Sequence, residues 1–186
     1  AEFAAAKMSK VIDGLKQART AANRSRAVFD EAATKLLDKH AEWLQTEYDQ
    51  AVATAQMGIK WQDLTENIEP GDMLRYVTVG DGRVRPLHRV LDGATQPPDD
   101  PFWNDHCPPL GYRCRCTLVK VNGAAPKSPL REPTQKEAPD AFRFNPGKTG
   151  RLFLGKHPYF KGAAVAAIAA AMIAETQTIF EDESTE

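Results

Sequence analysis

Apolar residues recur with a helical period through the first third of the chain. The sequence has no proline before Pro70, and residues 4–61 are rich in Ala, Lys, Glu, Gln and Leu, which favour helix. Two stripes follow the 3.6-residue period: Met8, Val11, Ile12 and Leu15, and then Leu36, Leu37, His40, Leu44, Glu47, Tyr48, Ala51, Val52 and Ala55. Stretch 18–26 is weakly apolar and predicts either a break or an exposed section, and Gly58 is the predicted end of the helix. Because a helical arm seldom buries its stripe alone, we expect self-association or a partner helix.

The pattern changes between residues 70 and 121. The stretch MLRYVTVGDGRVR (73–85) predicts a strand and an Asp-Gly turn at 81–82. A short helix from Pro86 to Leu91 follows, closed by Asp92 and Gly93. After a proline-crowded loop, RCRCTLVKV (113–121) alternates like a strand, with Cys114, Cys116 and Leu118 on one side.

The last third predicts little regular structure before its end. Residues 124–141 are rich in proline, lysine and glutamate, as in a linker or an extended strap, and an alanine-rich helix is predicted over 162–180. The sequence therefore predicts an α+β protein with four parts. These are a long N-terminal helical arm (1–61), a small β-containing module (62–123), the strap (124–141) and a C-terminal segment with a helix (142–186).

Composition excludes several classes of protein. The 186 residues include 24 basic and 25 acidic ones, so the net charge of −1 predicts neither a nucleic-acid wrapper nor a membrane-surface binder. The longest apolar run, 162–174, is mostly alanine and too short to span a bilayer, so a soluble protein is expected. Three cysteines are too few and odd in number for a secreted disulfide framework, which favours a reducing, intracellular setting.

The stretch HCPPLGYRCRC (106–116) contains every cysteine of the chain and predicts a zinc site. A tetrahedral Zn²⁺ site takes four nitrogen or sulfur ligands, and this stretch together with His88 offers five. The favoured set is His88, Cys107, Cys114 and Cys116, with His106 in place of Cys107 as the alternative. A structural metal would supply the cohesion that a loop with few large apolar residues lacks, so the module is predicted to be stapled by zinc.

Two other uses of the cysteines compete with zinc. Cys107 could form a disulfide with Cys114 or Cys116 in an oxidising compartment, whereas a bridge between Cys114 and Cys116 would be strained. A nucleophilic thiolate would need His88 or His106 as its base, but no orienting third residue is identifiable. The sequence favours the metal over both.

Two parts of the sequence have residues that are typical of phosphate binding. NPGKTG (145–150) is not a Walker A loop, because Phe142 occupies the position of its first glycine, and Lys148 is expected in an exposed turn. Five arginines near the cysteines either contact phosphate or an acidic partner, or pair with intervening aspartates: Arg83, Arg85, Arg89, Arg113 and Arg115. His157 is expected to be a surface residue.

Three motifs in order resemble the phage Mu F-like minor head proteins of the phage head morphogenesis family. They are RVRPLHRVLDG (83–93), DDPFW (99–103) and PPLGYRCRC (108–116), and the likeness extends over about 40–148. The resemblance carries His88, Cys114 and Cys116 as fixed positions of the module, whereas Cys107 departs from the pattern.

The resemblance implies a structural protein of the virion or procapsid, without catalytic activity. It would act in head assembly with the portal or the major capsid protein, with packaged DNA as a further contact and no membrane partner. Its place would be the capsid interior or the portal region, after assembly in the host cytoplasm. The alternative is a nuclease or toxin-associated enzyme domain that carries a Mu F-like module.

Overall fold

The computed structural model describes residues 2–122 and 138–160 of the chain. Their contacts divide them into two compact units. The described part of the first unit is 2–45 with 155–160, and that of the second is 46–122 with 138–154. Most of the predicted strap and the predicted C-terminal helix lie outside the described residues.

Two helices make up the N-terminal part of the chain. Helix α1 spans Glu2–Ala21 and helix α2 spans Arg26–Glu66. The break between them falls in the weakly apolar stretch, where Asn23 and Arg24 adopt positive φ angles of 42° and 69°. Gly58 was wrongly predicted to end the helix: α2 continues through it to Glu66. A glycine without neighbouring proline weakens a helix but does not stop it.

The buried face of α2 differs from the predicted apolar stripe. Its buried residues follow helical spacing but are partly polar: Glu47, Gln50, Thr54, Met57 and Trp61. Leu44 and Tyr48 of the predicted stripe are 61% and 65% exposed. Gln50 and Thr54 are hydrogen-bonded to each other: the Thr54 hydroxyl donates to the Gln50 backbone carbonyl at 2.8 Å, and the Gln50 side-chain amide donates to Thr54 Oγ1 at 3.1 Å. Gln50 Oε1 has no partner among the described residues.

The first unit has a small aromatic core. The 3-10 helix Pro158–Phe160 packs Tyr159 against Ala6 of α1, and Phe3 joins this cluster. His157 is only 5% exposed and its ring centroid lies 5.1 Å from that of Phe3. The prediction of a surface histidine was therefore wrong, because the segment before the 3-10 helix folds onto α1, which no local pattern encodes.

The second unit is built on a three-stranded antiparallel sheet of order β2-β1-β3. Its strands are β1 (Met73–Val77), β2 (Thr95–Gln96) and β3 (Thr117–Val121). The short helices are α3 (Pro86–Leu91), α4 (Phe102–Asp105) and α5 (Pro146–Thr149), with a 3-10 turn at Asp140–Phe142. The predicted α+β class is confirmed and α3 has its predicted bounds. However, β3 begins at Thr117, so Cys114 and Cys116 precede the strand.

One hydrophobic core joins α2, the sheet and the proline-rich loop. It contains Met57, Trp61, Leu74, Tyr76, Leu91, Phe102, Trp103, Cys107, Leu110 and Leu118. Trp103 is fully buried, and its indole N–H donates to the Pro97 carbonyl at 2.8 Å. The core therefore fixes the loop that leads to the cysteines.

The NPGKTG stretch forms a capped helical turn. The Asn145 side chain accepts hydrogen bonds from the backbone N–H groups of Gly147 (2.9 Å) and Lys148 (3.2 Å). Gly147 lies so close to the Trp61 ring that any Cβ there would clash. Lys148 is exposed as expected, and its ammonium donates to Asn104 Oδ1 at 2.9 Å.

Candidate metal centre

The structure places three of the predicted ligands together on two short elements. His88 lies in the middle of α3, whose Leu87 and Leu91 are also buried, and only 2% of its surface is exposed. Cys114 and Cys116 lie in the turn that leads into β3. That turn closes by the hydrogen bond that the Cys114 N–H donates to the Gly111 carbonyl, 3.2 Å.

One residue of this turn has a backbone conformation that residues other than glycine rarely adopt. Arg113 has a φ angle of 56°, in the left-handed region that costs a non-glycine residue of its size about 1 kcal/mol. The turn positions the next residue, Cys114, opposite α3. Strain of this kind persists where the surrounding structure enforces it, often at a functional site.

The donor atoms have the spacing of a tetrahedral zinc site. His88 Nδ1 lies 3.5 Å from Cys114 Sγ and 3.4 Å from Cys116 Sγ, and the three candidate ligand atoms all lie within 4.8 Å of one another. Zn–S and Zn–N bonds of about 2.3 and 2.0 Å at tetrahedral angles separate sulfur from nitrogen by about 3.5 Å. The residues present therefore fit a metal ion that takes nitrogen and sulfur ligands.

The two thiols interact strongly with each other. A hydrogen bond from Cys116, together with one from His88, lowers the pKa of the Cys114 thiol. The same partnership with Cys114, together with burial, raises the pKa of Cys116. A divalent cation bound between the two sulfurs would neutralise the charge of both thiolates.

Neither predicted fourth ligand joins the other three. Cys107 is fully buried in the hydrophobic core, and this burial raises the pKa of its thiol. His106 stacks on the Phe102 ring at 4.5 Å between centroids, and its Nδ1 lies 3.0 Å from the Phe102 carbonyl oxygen. All three cysteines are free, so the structure contains no disulfide among them.

Tyr76 is a neighbour of the cluster that the sequence did not single out. Its side chain is fully buried on β1, and burial together with the charge of Cys114 and Cys116 raises the pKa of its hydroxyl. His88 Nε2 has no hydrogen-bond partner among the described residues. The alternation of β1 places Tyr76 on the inner face of the sheet, but only its pairing with Leu118 on β3 brings it beside the cysteines.

A cavity of about 550 Å³ opens beside the cluster. Its walls include His88, Cys114 and Cys116, and further residues of the same unit: Asp49, Ala53, Val79, Arg83, Val84, Arg85, Arg113 and Arg115. Four of the five arginines named in the sequence analysis therefore line this cavity. The fifth, Arg89, donates a hydrogen bond to the Val84 carbonyl at 3.2 Å.

Two of these arginines contact an aspartate, but it is Asp81, which precedes the five arginines in sequence and is not one of the intervening aspartates. Arg115 binds Asp81 with both terminal nitrogens, at 2.8 and 2.9 Å, and Arg83 lies 3.5 Å from the same carboxylate. These contacts hold the pKa of Asp81 well below its usual range. Arg85 instead donates to the Tyr112 carbonyl at 2.6 Å.

Fold and cluster together define a mixed α+β protein with a candidate metal centre of one histidine and two cysteines. Residues 6–119, more than half of the chain, match the family described as Phage Mu protein F like protein. The chain belongs to this family, and the resemblance seen in its motifs is confirmed.

Curated relatives are similar to parts of the chain. The "Putative capsid assembly protein F" of Escherichia phage Mu is 33% identical over 84 residues, which cover 45% of this chain and 19% of the relative. The "Mu-like prophage FluMu F protein" of Haemophilus influenzae is 33% identical over 75 residues, 40% of this chain and 18% of the relative. An uncharacterised protein of Methanocaldococcus jannaschii is 49% identical over 51 residues, 27% of this chain and 8% of the relative.

These matches cover less than one fifth of the length of each relative. No solved structure matches the chain significantly. Among the described helices, none has the length and apolar character needed to cross a bilayer.

Proposed function

We propose that the chain is a structural component of a tailed-phage or prophage head and acts in head assembly. Membership of the Mu F-like family, over residues 6–119, is the observation that carries this proposal. A relative named for capsid assembly supports it, although the match covers only 19% of that protein. Its place would be the capsid interior or the portal region of the virion.

The proposed partners are the portal protein or the major capsid protein, contacted through the helices. Each unit leaves large apolar side chains of α2 exposed, Leu37 and Leu44 in the first and Tyr48 and Ile59 in the second. Leu37 and Leu44 are seven positions apart, and Tyr48 and Ile59 eleven, so within each unit the two side chains lie on one face of the helix. Exposed apolar residues on one helix face favour packing against another protein or a second copy of this chain.

Docking can be measured by size-exclusion chromatography of the chain with the portal or the major capsid protein encoded in the same phage genome. We expect co-elution with one of them, and Leu44→Glu with Tyr48→Glu to weaken it about 100-fold, since two charges would enter an apolar contact. Gln17→Glu on α1 is the control, because it adds a charge at an exposed polar position. Co-elution with neither protein, or equal loss in the control, would contradict this docking.

A structural zinc ion held by His88, Cys114 and Cys116 is part of the proposal. Two thiolates and an imidazole suit Zn²⁺, and the loop from Thr95 to Cys116 is long and poor in regular structure. When bound, the ion would tie α3 to the turn before β3. One buried imidazole and two half-buried thiols, with their donor atoms within 4.8 Å of one another, are available to hold it.

An enzyme is the competing class, and the three-ligand cluster beside an arginine-lined cavity is the observation that favours it. We propose that the chain is not an enzyme. The carboxylate that contacts Arg83 and Arg115, Asp81, has a strongly lowered pKa because of its hydrogen bonds to Arg115, which makes it a poor general base near neutral pH.

Supercoiled plasmid is therefore expected to stay intact when incubated with the zinc-loaded chain. The His88→Ala variant is expected to behave in the same way, apart from lower stability. Nicking by the wild type that disappears in His88→Ala would instead assign the cluster to a nuclease. Agarose-gel electrophoresis of the plasmid distinguishes these results.

A further inference from the structure

The cavity beside the candidate metal centre has an unusual charge. Four arginines belong to its walls, Arg83, Arg85, Arg113 and Arg115, against a single acidic wall residue, Asp49. Asp81 binds Arg115 and lies near Arg83. Among the described residues, the four guanidinium groups outnumber these carboxylates, so the walls carry a positive excess.

The protein orients these arginines by specific contacts. Arg85 is anchored through the Tyr112 carbonyl and passes close to Gly111, where an added Cβ would lie 3.3 Å from its guanidinium nitrogen. Arg115 is held in a two-pronged contact with Asp81. Arg113 approaches Thr46 Oγ1 at 3.4 Å, and its backbone has the positive φ described above. An arginine fixed in this way loses less side-chain freedom when it binds an anion.

The metal ligands form another wall of the same space. His88, Cys114 and Cys116 all line the cavity. A zinc site with three protein ligands keeps one tetrahedral position for an outside ligand. Two thiolates balance the charge of a divalent ion, so the metal would leave the positive excess from the arginines unchanged.

From this arrangement we propose that the cavity binds a phosphate group. Guanidinium groups match the geometry of phosphate oxygens, which they bind in two-pronged contacts, and attract the negative charge that phosphate monoesters and phosphodiesters both carry. The volume of about 550 Å³ lies within the range of roughly 300–1,000 Å³ found for ligand sites and leaves room for the molecule that carries the phosphate.

Titration calorimetry of the zinc-loaded full chain with inorganic phosphate tests the site. We expect saturable binding that the double variant Arg83→Gln/Arg113→Gln weakens by about tenfold or more, since it removes two charge-assisted contacts. Both side chains are exposed, so the variant is expected to fold, which its zinc content and circular dichroism would verify. Arg26→Gln/Arg151→Gln is the matched control, because it removes the same charge outside the cavity walls, and its affinity should change less than about twofold.

A short DNA duplex distinguishes the two sources of phosphate. Tighter binding of the duplex, sensitive to the cavity variant and falling with salt, would identify a phosphodiester. Tighter binding of inorganic phosphate would identify a free phosphate or monoester. The proposal is overturned if neither probe binds at about 10 mM, or if the control loses as much affinity as the cavity variant. Neither result depends on head docking, so this site and the proposed function can fail separately.

Discussion

Cys114→Ser is expected to abolish stoichiometric zinc binding and to lower the melting temperature by about 10 °C. The wild-type chain is expected to carry one zinc ion, measured by atomic emission after desalting. Serine cannot supply the thiolate, so the imidazole of His88 and a single sulfur would remain as ligands. Because a metal that binds only the folded chain stabilises it, its loss removes that binding free energy from folding.

Cys107→Ser is the matched control, because it also replaces the sulfur of a cysteine by oxygen. Cys107 lies in the core and outside the cluster, so this variant should keep its zinc although the buried hydroxyl lowers its stability. EDTA should lower the melting temperature of the wild type and of Cys107→Ser, but not that of Cys114→Ser. A wild type without zinc and unaffected by EDTA would refute the metal centre, whereas zinc loss in Cys107→Ser would make Cys107 a ligand.

Trp103→Ala is expected to cost about 3–5 kcal/mol in the free energy of unfolding. The side chain is fully buried, and its ring lies 6.1 Å from that of Trp61 and 4.8 Å from that of Phe102, centroid to centroid. Truncation removes these contacts and leaves the Pro97 carbonyl without the hydrogen bond that it accepts from the indole N–H. Urea unfolding followed by circular dichroism measures the change.

Trp43→Ala is the control for the loss of an indole. Trp43 is 40% exposed on α2 and makes a cation–π contact with Lys39 at 5.0 Å, so its removal should cost about 1 kcal/mol or less. A similar cost for both variants would show that Trp103 does not anchor the core. Since domains are stable by only about 5–15 kcal/mol, the Trp103 variant could lose much of its folded population.

Local signals in the sequence were sufficient for the short elements near the site. Pro86 at the first position of α3 and Asp92-Gly93 after its end delimit the helix correctly, and they place His88 in its middle. The weakly apolar stretch before Arg26 coincides with the helix break. Such signals depend on backbone preferences within a few residues, so they can be read without knowledge of the fold.

The buried face of α2 could not be predicted from apolar residues alone. Gln50 and Thr54 are buried and hydrogen-bonded to each other, while Leu44 and Tyr48 remain exposed. Which face is covered depends on where the sheet and the loop pack, and that is set by contacts distant in sequence. The end of α2 at Glu66, eight residues beyond Gly58, was missed because a single glycine lowers helix stability without ending the helix.

The sequence by itself determined the mixed α+β class, the family and the donor types of the candidate site, imidazole and thiol, with the histidine on a short helix. The tertiary structure decided which donors meet. It placed Cys107 in the core and His106 against Phe102, and it gathered four arginines around a cavity beside the remaining three ligands. The physical reason is that the donor atom a residue offers is a property of its type, whereas the distances between donor atoms depend on packing. Spacing along the chain does not encode that packing.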